Sequence, residues 1–412
     1  MKVTHICSTF SGGAGMCARR IMEATAALGV EARALLAGGE SSERIDVVRP
    51  RLAWSRNRFA KAAQMFLARH GIGPEAFRLD ERIGRERAAM QTYCCFTPPV
   101  TGYTNLVEHP WIKDADVVHL HWIGYFVDYG TFFPNVGKPL VWTVHDENPA
   151  LGGFHYSSWK ESAPESFKRL DDSCMLVKKA AYEKTGSMTL VALSSRMDAF
   201  FASSPMLGRF RRRIIHNGVD GLQYRPIPRD EARAALGIPK ENRVFVLAAE
   251  NVNEERKGLK ELIAALEAPD MPPTTLICLG NAAKRPKASF DIRYEGFVRG
   301  CERQSLYYSA ADHFALPSRQ EAFAQTPLEA MACGCSVVAF PCSGMDSLVN
   351  EGNGVVCRDF TVEALRDGIR RVIAGRYDRA AIRRDVLARF SSEVIARQYL
   401  ELYESLLGGN AD

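Results

Sequence analysis

Short apolar runs alternate with longer stretches in which apolar residues return every third or fourth position, along almost the whole chain. The runs predict strands at 3–9, 32–36, 117–121, 140–145, 190–193 and 213–216, and again at 244–248, 275–279, 292–294, 313–316 and 336–340. Helical spacing falls between them, as at 16–28, 172–184, 259–266 and 304–311. A strand buried on both faces reads as a continuous apolar run, and a helix covering a sheet shows one apolar stripe. The alternation predicts an α/β architecture with parallel sheets covered on both sides.

The succession of strand, loop and helix begins at Val3 and begins again at Val244. Pro226 and Pro228 mark a linker between the two, followed by a short helix at 230–236. A length of 412 residues also asks for more than one core, since domains usually run to about 100–200 residues. The expected organisation is two doubly wound Rossmann-like domains, 1–225 and 226–385, and a terminal segment, 386–412, whose amphipathic helix at 392–407 returns to the first domain. In such sheets ligands bind outside the carboxyl ends of the strands. Facing strand ends of two domains make a cleft, the usual place for a two-substrate site.

Composition then removes several classes. No apolar run reaches the roughly 18 residues that span a bilayer, and the first residues read as a strand rather than a signal peptide. The eleven cysteines are scattered without a C-x-x-C, so neither a disulfide framework nor a zinc site is expected, and a reducing cytoplasm is. A net charge of +5 is too small to argue for nucleic acid. One segment is locally basic. Arg51, Arg56, Arg58, Lys61 and Arg69 interleave with Trp54, Phe59, Met65, Phe66 and Leu67, with no acid among residues 51–69. This is the form of a basic amphipathic helix, which can lie on an anionic membrane surface, here through 51–70 at the inner face of the membrane. The general preference for core-facing stripes favours instead packing against its own domain.

Candidate chemistry sits on the loops after strands. Ser8 to Gly15 joins the first strand to the first helix, and its Gly12 and Gly13 let a backbone come close to an anion. His119 and His121 share one face of a strand, but with no third ligand nearby a metal site is not expected. Asp114-Ala115-Asp116 precedes that strand and reads as a solvated turn. His145 stands at the carboxyl end of a buried strand, where an imidazole can orient a hydroxylated substrate. Arg256 and Lys257 are adjacent cations before a helix, a pairing suited to a diphosphate. The segment from Pro317 to Gly334 follows a strand and leads through a helix to the next one. Thr326 is expected as the N-cap, Pro327 at the first helical position, and Thr326 with Glu329 as a capping box. Glu321 lies on the loop before that helix. A carboxylate beside an anion-binding helix start makes sense if it bonds hydroxyls, as on a sugar.

Taken together these residues resemble the retaining glycosyltransferases of family four, which have the GT-B fold. Glu321 to Glu329 is similar to that family's Glu-x7-Glu motif, followed by Ala330-Met331-Ala332-Cys333-Gly334. Tyr294-Glu295-Gly296-Phe297-Val298, Leu316-Pro317-Ser318, Thr143-Val144-His145-Asp146 and His216-Asn217-Gly218-Val219-Asp220 add to the match, which covers nearly the whole chain. Ala115 to Trp122, Lys138 to Thr143 and Gly152 to Tyr156 resemble a bacterial surface-polysaccharide subgroup; its cysteine cluster is reduced here to Cys174, so no metal is expected there.

The resemblance implies a cytoplasmic, metal-independent hexosyltransferase without a cofactor. It would move a sugar from a nucleoside-diphosphate sugar to a saccharide or lipid-linked acceptor in polysaccharide biosynthesis. It implies that Glu329 holds the donor ribose, that Glu321 contacts the transferred sugar, and that Lys257 with Arg256 neutralises the diphosphate. Backbone N–H groups of Ala324, Gln325 and Thr326 would bind sugar or phosphate, Gly12 and Gly13 would approach the diphosphate, and His145 would touch the sugar. The family usually has Gly-Arg-Leu after the strand that here ends in Ala249-Glu250-Asn251, and Arg256 is the arginine available to replace it. Two alternatives stay open: a nucleotide-sugar epimerase on the same fold, and a degenerate transferase serving as a scaffold.

Overall fold

The computed structural model describes residues 1–90 and 93–408. The chain divides into two compact units, one of residues 1–193, 197–215 and 397–412, the other of residues 194–196 and 216–396. The terminal segment read from sequence as 386–412 thus joins the first unit only from Arg397, and its positions 409–412 lie outside the described residues.

The first unit is built on seven parallel strands: β1 (Lys2–Cys7), β2 (Glu31–Leu36), β3 (Ile45–Val47), β4 (Val117–Leu120), β5 (Leu140–Val144), β6 (Met188–Ala192) and β7 (Arg211–Ile214). Their order is β3-β2-β1-β4-β5-β6-β7, so the sheet changes direction between β1 and β4. Every residue of β4, β5 and β6 is buried, which is why these strands read as largely apolar runs.

The second unit has six parallel strands: β8 (Arg243–Asn251), β9 (Thr274–Asn281), β10 (Asp291–Gly296), β11 (His313–Leu316), β12 (Ser336–Ala339) and β13 (Gly354–Val356), in the order β10-β9-β8-β11-β12-β13. Its direction changes between β8 and β11. Leu365, Ile369 and Val372 of the helix Val362–Ala374 pack with Phe245, Leu276 and Val338 of the sheet. The short strands β3 and β13 have no counterpart in the sequence pattern, because three residues at a sheet edge are too few to show a period.

The passage between units falls at Ile215 and His216, upstream of the two prolines. The reason is local bonding. Within the second unit Val219 N donates to Phe390 O at 2.8 Å, and Ser392 N donates back to Val219 O at 3.0 Å.

The basic segment corrects a second expectation. Its helix covers Arg58–Arg69, capped by Asn57, whose Oδ1 accepts from Phe59 N and Ala60 N. The apolar stripe does not pack on its own domain: Phe59 is 83% and Phe66 63% exposed, and Ala68 is the one residue of the helix that is buried.

Candidate functional site

In the second unit the direction change of the sheet sets the site. After β8 the chain makes a single turn, Glu255–Lys257, closed by Gly258 at φ +72°. A Cβ on Gly258 would stand 2.1 Å from Pro317 O, so glycine lets this turn press against the loop that follows β11. Arg319 N donates to Arg256 O at 2.9 Å and joins the two loops.

The contact brings together three residues singled out in the sequence. Lys257 Nζ lies 2.6 Å from Glu321 Oε1, and Arg256 Nη1 lies 3.4 Å from Glu321 Oε2. Burial alone would push the Glu321 carboxyl up, but Lys257 and Arg256 beside it hold it below the ordinary glutamate value. Sequence reasoning missed Glu254, which accepts from Arg256 at 2.9 and 3.2 Å and fixes the guanidinium plane. It also missed what pins the far end of the loop. Asn217 Nδ2 donates to Phe323 O at 2.9 Å, and His216 stacks on the Phe323 ring at 4.9 Å.

The helix after this loop is Gln325–Ala332, with Ala324 as its N-cap and no side chain capping it. Thr326 and Pro327 are therefore the second and third helical residues, and Thr326 with Glu329 is not a capping box. Proline costs nothing there, because no N–H of the first turn has an intrahelical acceptor to lose. Glu329 is 7% exposed. Gly334 does take up φ +82° just past the helix, as its place in the sequence suggests.

In the first unit the glycines open the helix rather than precede it. The helix is Gly12–Ala27, its N-cap Ser11 makes no side-chain cap, and Gly12 and Gly13 form its exposed first turn. Gly15 is the glycine that packing requires, since a Cβ there would meet Thr9 O at 2.3 Å.

His145 lies directly after β5 and its Nε2 has no hydrogen-bond partner. Burial lowers it to about 4, so the ring is neutral at pH 7. The next residue belongs to a buried pair that the sequence did not reveal: Asp146 Oδ2 accepts from His155 Nδ1 at 2.6 Å and from Trp122 Nε1 at 3.1 Å. Burial would lower His155, but Asp146 raises it to about 9, so the imidazole is charged at pH 7. His121, Trp122, His145, Asp146 and His155 line a cavity of about 10 Å³, about the room one water needs.

The expectation that His119 and His121 lack a third histidine is corrected. Parallel pairing sets His5 of β1 opposite His119 of β4, and one ring nitrogen from each of His5, His119 and His121 lies within 4.8 Å of the others. His5 Nδ1 and His121 Nε2 share a proton at 3.0 Å, while His119 bonds Tyr403 Oη at 2.6 Å and Thr143 Oγ1 at 2.8 Å. Burial depresses all three. With hydroxyls on both nitrogens of His119, the cluster ties Tyr403 of the helix Ser392–Leu407 to the sheet. Asp114, before β4, pairs with Lys2 at 3.0 Å and Arg33 at 3.1 Å.

Two cations meeting a carboxylate at strand ends suit a ligand that is anionic at one end and hydroxylated at the other. Residues 228–386 match the family model described as glycosyl transferases group 1. The chain is 33% identical over 196 residues to a D-inositol 3-phosphate glycosyltransferase of Corynebacterium urealyticum, covering 43% of this chain and 46% of that protein. It thus spans about half the length of that relative. It is 30% identical over 240 residues to the lipopolysaccharide core biosynthesis mannosyltransferase LpsB of Rhizobium meliloti, covering 52% of this chain and 68% of that one. In fold it is similar to Anabaena HepE, solved in complex with UDP and glucose, with a TM-score of 0.62 at 19% identity over 98% of this chain and 100% of that one. The two parallel sheets are those of the GT-B fold, and the chain belongs to the glycosyl transferases group 1.

Proposed function

We propose that the chain is a retaining glycosyltransferase that moves a hexose from a nucleoside-diphosphate sugar to a saccharide or lipid-linked saccharide acceptor in the building of a polysaccharide. The observation that carries this reading is the convergence of Lys257 and Arg256 on Glu321, where the second sheet changes direction. In the proposed complex the two cations turn to the diphosphate and Glu321 to a sugar hydroxyl. Glu329 takes the ribose, and Ala324, Gln325 and Thr326 offer backbone N–H groups at the helix start. The roles given to Gly12, Gly13 and His145 rest on their places at strand ends of the first unit.

The reaction breaks the bond between the anomeric carbon and the diphosphate oxygen and forms one to the acceptor oxygen on the same face. The departing diphosphate oxygen takes the acceptor's proton, so no protein nucleophile is needed. Lys257 and Arg256 stabilise the charge that grows on the diphosphate, and we propose turnover without a metal or cofactor.

Melting curves with UDP, GDP, ADP and dTDP, then with their sugar conjugates, test the donor. A nucleotide at about 100 times its dissociation constant stabilises by about 2.7 kcal/mol, a shift of several degrees. The anomeric configuration of the product, read by NMR, tests retention. No shift with any nucleotide would overturn the donor reading, and an inverted product would overturn the mechanism.

A further inference from the structure

The helix Arg58–Arg69 is mounted with its apolar side outward. Phe59, Ala62, Ala63 and Phe66 recur at the first, fourth, fifth and eighth positions of one stripe, and all four are exposed. Gln64 and Ala68 stand two positions before and after Phe66, about 200° around the helix. These two face the protein: Gln64 Oε1 accepts from Ser55 N at 2.7 Å, and Ala68 is 4% exposed. The approach to the helix is held from below, where Trp54 stacks on Phe77 at 4.3 Å and its Nε1 donates to Asp80 at 3.1 Å. Met65, Leu67 and Ile72 widen the exposed apolar area.

Arg58 and Arg69 are eleven residues apart and so lie on one flank of the stripe, with Arg56 just before the helix, whereas Lys61, seven positions before Ala68, lies on the side that faces the protein. None of these four cations has an acidic partner among the described residues, and residues 51–69 hold no acid. Among the described residues, Phe59 and Phe66 on this face stay exposed. It exposes more aromatic surface than a water-facing helix needs, and its rim has a single sign of charge.

We propose that this face docks on a bilayer surface bearing anionic lipids, with Phe59 and Phe66 in the headgroup and acyl boundary and Arg56, Arg58 and Arg69 against the lipid phosphates. Charge complementarity selects this occupant. A second copy of the same face would bring like cations together, whereas an anionic surface answers each of them. The helix lies in the plane of the surface and does not cross it; among the described residues no helix is long and apolar enough to span a membrane.

Flotation of the full chain with two kinds of vesicle tests this, one of phosphatidylcholine alone and one of phosphatidylcholine with phosphatidylglycerol. The chain should float with the second and not the first, and raising the salt should release it. Phe59→Ser with Phe66→Ser should remove flotation without lowering the melting temperature, since both side chains are exposed. Arg58→Glu with Arg69→Glu is a second, independent variant, and each cation lost should lower partition about fivefold. Three results overturn the proposal. One is equal behaviour with both vesicles, and another is wild-type flotation by the serine variant. The third is a doubling of mass by light scattering that the serine variant abolishes, with no flotation, which would give the face to a second copy of this chain.

Discussion

Lys257 Nζ and Glu321 Oε1 stand 2.6 Å apart, although 64 positions separate them in the chain. The pair holds the two loops of the second unit's switch point in one place before any ligand arrives. Lys257→Ala should lower kcat by about 10²–10³, the scale of losing one donor to a developing oxyanion. Glu321→Gln should instead weaken discrimination among sugars while leaving the melting shift from the bare nucleoside diphosphate in place. Steady-state kinetics and melting curves on the two variants separate these roles.

The same pair gives an acid limb to stability. Because the folded Glu321 is held below its ordinary value, its contribution is present above the unfolded glutamate range and is lost as pH falls through the folded value. Lys257→Ala removes one of the two cations and moves the folded value toward the unfolded one, so the variant should lose less stability on acidification than the wild type. Coincident acid limbs would mean that Arg256 alone holds the carboxylate.

Glu329 is 7% exposed on the helix Gln325–Ala332. Glu329→Gln, an isosteric change, should leave the stability of the free protein within about 1 kcal/mol of wild type. It should cost the nucleotide-induced shift. A full shift in the variant would remove the ribose from the role proposed for this residue.

His155 and Asp146 predict the opposite pH sign. The folded imidazole is raised to about 9, so its contribution is complete below the unfolded histidine value and disappears as pH rises through about 9. Melting temperature should drop between pH 7 and pH 10 in the wild type and drop less in His155→Gln. Breaking such a buried pair costs about 3–5 kcal/mol.

Two left-handed glycines separate strain from contact. Gly237 at φ +59° has nothing within 4 Å of a built Cβ, whereas Gly258 at φ +72° has Pro317 O at 2.1 Å. Gly237→Ala should cost about 1–2 kcal/mol, the left-handed penalty alone. Gly258→Ala should cost more and should also slow turnover, because it displaces Lys257. Equal losses in thermal denaturation would show that the loop after β11 yields freely.

Turnover should survive EDTA and dialysis, with Lys257 and Arg256 in the place of a metal. Activity abolished by EDTA and restored by manganese would contradict this, and the buried histidines His5, His119 and His121 would then be the first residues to substitute.

The sequence by itself determined the class of fold and singled out Arg256, Lys257 and Glu321, which meet in the second unit. Alternating periods of two kinds revealed parallel sheets covered by helices, since burial on both faces leaves strands few polar positions. Arg256, Lys257 and Glu321 stood out by residue type and by their place after a strand, while the ligand role expected of Glu329 came from the family resemblance alone. Three things waited for tertiary structure. Parallel pairing joined His5 to His119 across more than a hundred residues, and no local period reports strand order. The start of the helix at Gln325 depended on how Asn217 and His216 hold the preceding loop, a constraint outside any local cap signal. The direction of the stripe on Arg58–Arg69 could not be read from its period either, because amphipathicity fixes that a helix has two faces, and only packing decides which of them meets the protein.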